Sequence, residues 1–242
     1  SANITTPDGL AVDWIANNVY WTDHRKVLEV ARIDGSCRKV IITKLDEPRS
    51  VTVYPTKGYL FWADWGESPK IERSMMDGSL RTAIVDKDLG FPNGLTIDYE
   101  EKKLYWADAL KQRIEMSSLN GRNRIALIPE KTHPYGLSQF GDHVYWIDWL
   151  RKEVERADKM TGRNRETIRT KQFSVMEICI VAAERRTGRN PCGINNGYCS
   201  HLCFFRGDNY RCSCPDLPDE NICSREPTIK VQFQPDEQDD YP

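Results

Sequence analysis

Apolar residues fall in short runs separated by charged residues and turn formers, and no stretch carries the spacing of a useful amphipathic helix. Four aromatic runs recur: Val19-Tyr20-Trp21-Thr22-Asp23, Leu60-Phe61-Trp62-Ala63-Asp64, Leu104-Tyr105-Trp106-Ala107-Asp108 and Val144-Tyr145-Trp146-Ile147-Asp148. Their tryptophans are 41, 44 and 40 residues apart. A proline-marked turn precedes each run at a nearly fixed offset: Pro7-Asp8-Gly9, Pro48-Arg49-Ser50, Pro92-Asn93-Gly94 and Pro134-Tyr135-Gly136. A charged strand follows each run, such as Lys70-Ile71-Glu72-Arg73. Next come a glycine turn (Asp34-Gly35, Asp77-Gly78, Asn120-Gly121, Thr161-Gly162) and a last apolar strand such as Lys39-Val40-Ile41-Ile42.

Each unit of about 40 residues therefore predicts four short strands joined by tight turns, the size of a β-propeller blade. Asp-Gly and Asn-Gly favour hairpins because both central positions want positive φ. On a strand Tyr20 and Trp21 point to opposite faces, and a blade has a neighbour on each face, so both positions read as inter-blade core. Asp23, Asp64, Asp108 and Asp148 end their strands, where a carboxylate accepts backbone N–H groups from a neighbouring turn.

Composition narrows the partners. The 242 residues carry a formal charge of −2 and 29% charged side chains, so no broad basic footprint for nucleic acid exists. No window reaches eighteen consecutive apolar residues, so no direct membrane contact is expected. Six of the eight cysteines crowd into 192–223 with the spacing C-x6-C-x3-C-x8-C-x1-C-x8-C. Such a short segment needs disulfides to hold it, which implies an oxidising compartment. Spacing alone leaves fifteen pairings open. Cys37 and Cys179 lie in distant units and are not expected to pair, and Cys179 reads as a small buried residue on an inner strand. Asn3-Ile4-Thr5 is a glycosylation sequon at Asn3.

Pro-Asp-Gly-Leu-Ala-Val-Asp-Trp followed by Tyr-Trp-Thr-Asp resembles the YWTD propeller of the low-density lipoprotein receptor family, over roughly residues 4–223. Asp64-Trp65-Gly66-Glu67-Ser68-Pro69-Lys70-Ile71-Glu72-Arg73 and 91–109 are most similar to the first propeller of that family's Wnt co-receptors, the vertebrate pair and insect Arrow. Asn190-Pro191-Cys192-Gly193 and Cys199-Ser200-His201-Leu202-Cys203 match the EGF module that follows it. The resemblance implies an all-β chain: a partial six-bladed propeller (1–188, four full blades plus one inner strand at 173–180) and an EGF-like module (189–224). By composition, 225–242 reads as a disordered acidic tail or linker. Thr228-Ile229-Lys230-Val231 reads alternatively as the first strand of a following domain. The resemblance further implies the pairs Cys192–Cys203, Cys199–Cys212 and Cys214–Cys223. It implies missing blades supplied from upstream or by another chain. The stretch before Cys192 lacks the acidic pair of calcium-binding EGF modules, so neither metal nor cofactor is expected.

Function by resemblance is extracellular protein binding on the ectodomain of a single-pass receptor. Secreted ligands, Wnt proteins or their antagonists, would present Asn-x-Ile peptides. Asn93 would pair with the ligand's asparagine amide, and Arg49 and Asp8 would hold flanking polar groups. Phe91, Tyr135, Trp65, Trp149 and Met176 would pack the apolar residue, with His133 at the same face. Arg25 stands where the family's first propeller often has an acid, which implies weaker preference for basic ligands. Three alternatives stay open. A lipoprotein-receptor-type propeller releases ligand in acid, but His24, His133, His143 and His201 form no cluster in the sequence. An enzyme is disfavoured because no nucleophile elbow, HExxH motif or phosphate loop is present. A spacer would show no ligand binding at Trp149 or Asn93.

Overall fold

The computed structural model describes residues 4–129, 132–182 and 187–216, and the backbone of 229–230. Four antiparallel four-stranded meanders follow one another. The first holds β1 (Pro7–Asp13), β2 (Asn18–Asp23), β3 (Val27–Arg32) and β4 (Lys39–Ile42). The second holds β5 (Pro48–Tyr54), β6 (Tyr59–Asp64), β7 (Lys70–Met75) and β8 (Thr82–Val85). The third holds β9 (Pro92–Asp98), β10 (Lys103–Asp108), β11 (Arg113–Ser118) and β12 (Ile125–Ile128). The fourth holds β13 (Pro134–Phe140), β14 (His143–Asp148), β15 (Glu153–Asp158) and β16 (Glu166–Arg169). Inner strands touch in order, β1 on β5, β5 on β9 and β9 on β13, so the sheets stand as propeller blades around a channel.

The core lies between blades. Tyr20, Leu28, Val30 and Ile42 of the first pack on Val51, Val53, Leu60 and Trp62 of the second. The pattern repeats between later pairs. Close approach is allowed by missing side chains: a Cβ on Gly121 (φ 81) would meet the Ile84 carbonyl of the preceding blade at 1.9 Å. The strand-end aspartates take the place the pattern assigns them. Asp64 accepts Asp46 N–H at 2.8 Å and Glu47 N–H at 2.7 Å, and Asp108 accepts Gly90 N–H at 2.7 Å and Phe91 N–H at 3.0 Å.

Each blade also carries a stack that the sequence reading missed. An arginine ahead of the outer strand (Arg38, Arg81, Arg124 or Arg165) grips a buried glutamate of the third strand (Glu29, Glu72, Glu115 or Glu155) at 2.6 Å. Its guanidinium lies 5.3–5.5 Å from the centroid of the blade's tryptophan ring, Trp21, Trp62, Trp106 or Trp146. The charge is thereby both paired and stacked, which a solvated surface arginine would not be.

The stretch 173–180 departs from expectation. It forms no regular strand, and no strand of the described residues pairs with it. It still occupies the fifth inner place, since a Cβ on Gly136 would meet Glu177 Cα at 2.8 Å. Cys179 is consequently exposed rather than buried, and both it and Cys37 are free thiols.

The cysteine-rich module opens with two 3₁₀ turns, Pro191–Gly193 and Asn195–Tyr198, and continues as β17 (Leu202–Phe205) and β18 (Asn209–Ser213). Cys192 bonds Cys203 and Cys199 bonds Cys212. Cys214 is also in a disulfide. Ile229–Lys230, expected in a tail or a following domain, forms β19 against Asn209 and Tyr210 of β18 and so extends this module's sheet. Cys223, the Asn3 sequon and the rest of 225–242 lie outside the described residues.

The module docks under the first two blades. Leu202 and Phe204 join the core formed with Tyr20 and Trp62. Each such side chain contributes about 1.5–3 kcal/mol on full burial. Asn18 Nδ2 donates to the Cys203 carbonyl at 3.1 Å, Asn190 Nδ2 donates to that of Pro55 at 3.0 Å, and Arg206 meets buried Asp77 at 3.4 Å.

Candidate ligand-binding face

The register of the inner strands builds the site. In β1, β5 and β13 the pairing slips between the first and fourth residues, and in β9 Asn93 falls in the same kind of bulge. A bulge re-aims the unpaired side chain. The second residue of each inner strand, Asp8, Arg49, Asn93 and Tyr135, therefore lines one cavity at the channel mouth, with Met176 from the fifth inner place. The cavity measures about 320 Å³ and is completed by Thr6, Ser50, His24 and Glu177.

Its electrostatics are uneven. Arg49 is ion-paired with Asp8, and His24 Nε2 lies 3.7 Å from the same carboxylate. The Arg49 guanidinium lies 3.8 Å from the Trp65 ring centroid, and Phe91 sets its ring at 67° to Trp65 at 4.8 Å. Asn93 is 6% exposed, and neither its amide nitrogen nor its oxygen has a partner in the structure. Burial pushes the Tyr135 hydroxyl above its ordinary range, with Arg49 opposing the shift. Burial likewise raises the Glu177 carboxyl, helped by the charge of Asp8.

A second rank surrounds the cavity. The residue after each strand-end aspartate, His24, Trp65, Ala109 or Trp149, donates its N–H to the residue before each proline, Thr6, Glu47, Phe91 or His133. Trp149 is exposed, as are Leu110, Leu150 and Met176, so an apolar rim borders the polar floor.

The sequence-predicted residues thus separate. Asp8, Arg49, Asn93, Tyr135 and Met176 meet in the cavity. Trp65 lies beneath Arg49 and Phe91 against Trp65, so Trp65 is a platform for the arginine rather than a free apolar contact. His133 and Trp149 stand outside the cavity on the rim. His24 and Ser50 escaped the sequence reading. The recurrence of the residue after Tyr-Trp-Thr-Asp would have found His24, and Ser50 is the neighbour of Arg49 at the third position of β5. Among the described residues no group of three or more His, Cys, Asp or Glu side chains is arranged to hold a metal ion.

Residues 17–55 and 58–99 match the family model for the low-density lipoprotein receptor repeat class B. The chain carries class B repeats at these positions. Over 165 residues it is 51% identical to low-density lipoprotein receptor-related protein 4 of rat, and equally to that of Homo sapiens. The match covers 68% of the chain but only 9% of the length of those relatives. The chain is also structurally similar to a solved nidogen/laminin complex. That likeness has a TM-score of 0.64 at 33% identity and covers 69% of this chain and 64% of the other. A gluconolactonase from Xanthomonas campestris matches at a TM-score of 0.56 and 18% identity, over 66% of this chain and 61% of its own, which speaks to the fold alone. Class B repeats form a receptor propeller family, not an enzyme family.

Proposed function

We propose that this chain is an extracellular protein-binding module whose channel mouth holds an extended peptide segment of a secreted ligand. One observation carries the reading: Asn93 presents a buried primary amide, unpartnered at both ends, to a cavity bordered by exposed Trp149 and Met176. A buried amide without partners is costly, and a second amide satisfies it because each offers donors and an acceptor. The ligand side chain that fits is asparagine, followed by an apolar residue seated on the rim. Wnt-type ligands and their antagonists carrying Asn-x-Ile are the partners that the family resemblance suggests. Disulfides in the C-terminal module support an oxidising, extracellular setting, and the family resemblance suggests the ectodomain of a single-pass receptor. The match to a receptor repeat favours binding over hydrolysis as the reading.

The leading face of the first blade supports a further partner, another blade of the same kind from upstream sequence or another chain. Leu10 is 66% exposed, whereas Val51, Leu95 and Leu137 at the same place in later blades are 4–5% exposed.

The test is calorimetric titration with an amidated Asn-Ala-Ile peptide. Asn93→Ala should weaken binding about 10- to 100-fold, the loss of two buried hydrogen bonds, without lowering the melting temperature. Equal binding by the variant would overturn the amide reading. A variant that fails to fold would favour the spacer.

A further inference from the structure

The third position of every inner strand is small: Gly9, Ser50, Gly94 and Gly136. The reason is crowding, since a Cβ on Gly9 would lie 2.8 Å from Ser50 Cα and one on Gly94 2.8 Å from Leu137 N. The fifth inner place breaks the rule and puts Glu177 there, against Gly136. The residue lines the cavity although it is exposed as a whole, and its Oε1 accepts the Ile178 N–H at 3.0 Å. The charged and titratable groups facing it are Asp8 from β1, His24 from the turn after β2, Arg49 from β5 and Tyr135 from β13. Arg49 pairs with Asp8, so among the described residues no cation answers Glu177. Burial and the neighbouring Asp8 hold its carboxyl above the usual range, as expected of an acid lacking a counterion.

Arg25, the sequence feature that argued against basic ligands, is not in the cavity. Its guanidinium is held by Asp23 at 3.0 Å and Glu29 at 2.6 Å. The channel mouth therefore retains an unanswered negative charge within reach of the amide floor.

We infer that Glu177 is the subsite for a cationic side chain, guanidinium or ammonium, of the bound peptide, which enters the cavity beside the Asn93 amide. This rests on the peptide-binding reading above and adds to it the charge of the ligand. Because the subsite acts only when ionised, its preference for a cation fades as pH falls through the raised carboxyl's range.

The experiment uses the full chain and amidated, acetylated peptides sharing an Asn-Ala-Ile core. Arginine or its neutral isostere citrulline stands two residues from the core, on each side in turn. At pH 7.5 one arginine peptide should bind about tenfold or more tightly than its citrulline twin, the size of a charge-assisted hydrogen bond. The advantage should shrink at pH 5 and vanish in Glu177→Gln, while citrulline peptides bind wild type and variant alike. Equal binding of arginine and citrulline peptides to wild type would overturn the cation subsite and leave the amide reading standing. An arginine preference retained by Glu177→Gln would assign the cation elsewhere and also overturn it. Failure of all peptides would overturn the amide reading, and the subsite with it.

Discussion

The first and third blades have nearly the same sequence pattern and very different surroundings. Leu95 and Ile97 of the third are buried, and so is every residue of β9, because blades stand on both sides. Leu10 and Val12, the same places in the first blade, are exposed. Ile33 is 61% exposed where its counterpart Met76 is 0% exposed. Gly35 has nothing within 4 Å of a built Cβ, while Gly78 and Gly121 abut the preceding outer strands. The contrast teaches that a blade's apolar residues are buried by its predecessor rather than by its own sheet. It also shows how the blades treat a buried aspartate. Asp98 receives Lys159 from the next blade at 2.7 Å. Asp13 sits at the equivalent place, where the next blade offers Met76 instead, and its carboxyl is raised to about 6, chiefly by burial.

The hardest test of this comparison turns the third blade's neighbour into the first blade's. Lys159→Met should destabilise by about 3–5 kcal/mol in urea unfolding, because Asp98 is left buried without its cation. Adding Asp98→Asn should recover much of the loss, and a cost below about 1 kcal/mol would break the pairing account. Next, Leu95→Ala should cost about 2–5 kcal/mol, whereas Leu10→Ala should change stability by no more than about 0.5 kcal/mol. Equal costs at the two places would refute burial by the predecessor. A third test concerns Asp13. Its folded carboxyl is raised above the unfolded value, so the folded chain binds more protons between pH 4 and 6. Stability is therefore greatest below the unfolded range and falls as pH rises through about 6. Relative to Asp13→Asn, wild type should lose roughly 2–3 kcal/mol between pH 4 and 7.5, read from urea unfolding at both values.

The repeating strands were legible because the Trp-Asp runs, prolines and glycine turns impose them locally. The cavity was legible in part, since the residue after each proline marks the bulge that aims Asp8, Arg49, Asn93 and Tyr135 inward. Other features depend on neighbours that a one-dimensional reading does not place. Leu10 and Leu95 are the same letter in the same motif, and only the adjacent sheet distinguishes them. Arg38, Arg81, Arg124 and Arg165 look like solvated charges until the tryptophan beneath each is seen. The docking of Asn18 on Cys203 spans 185 positions, with no local signal at either end.

The disulfide-bonded module follows the fourth blade along the chain yet is seated on the first and second. A pull on the chain beyond Cys214 therefore bypasses the third and fourth blades. It bears on Leu202 and Phe204 and, through them, on the seam between the two earliest sheets. Tension from the C-terminal side would load that seam at the Asp13 and Tyr54 ends of β1 and β5, the ends opposite Asp8 and Arg49, so mechanical strain and grip on a ligand are kept a strand's length apart.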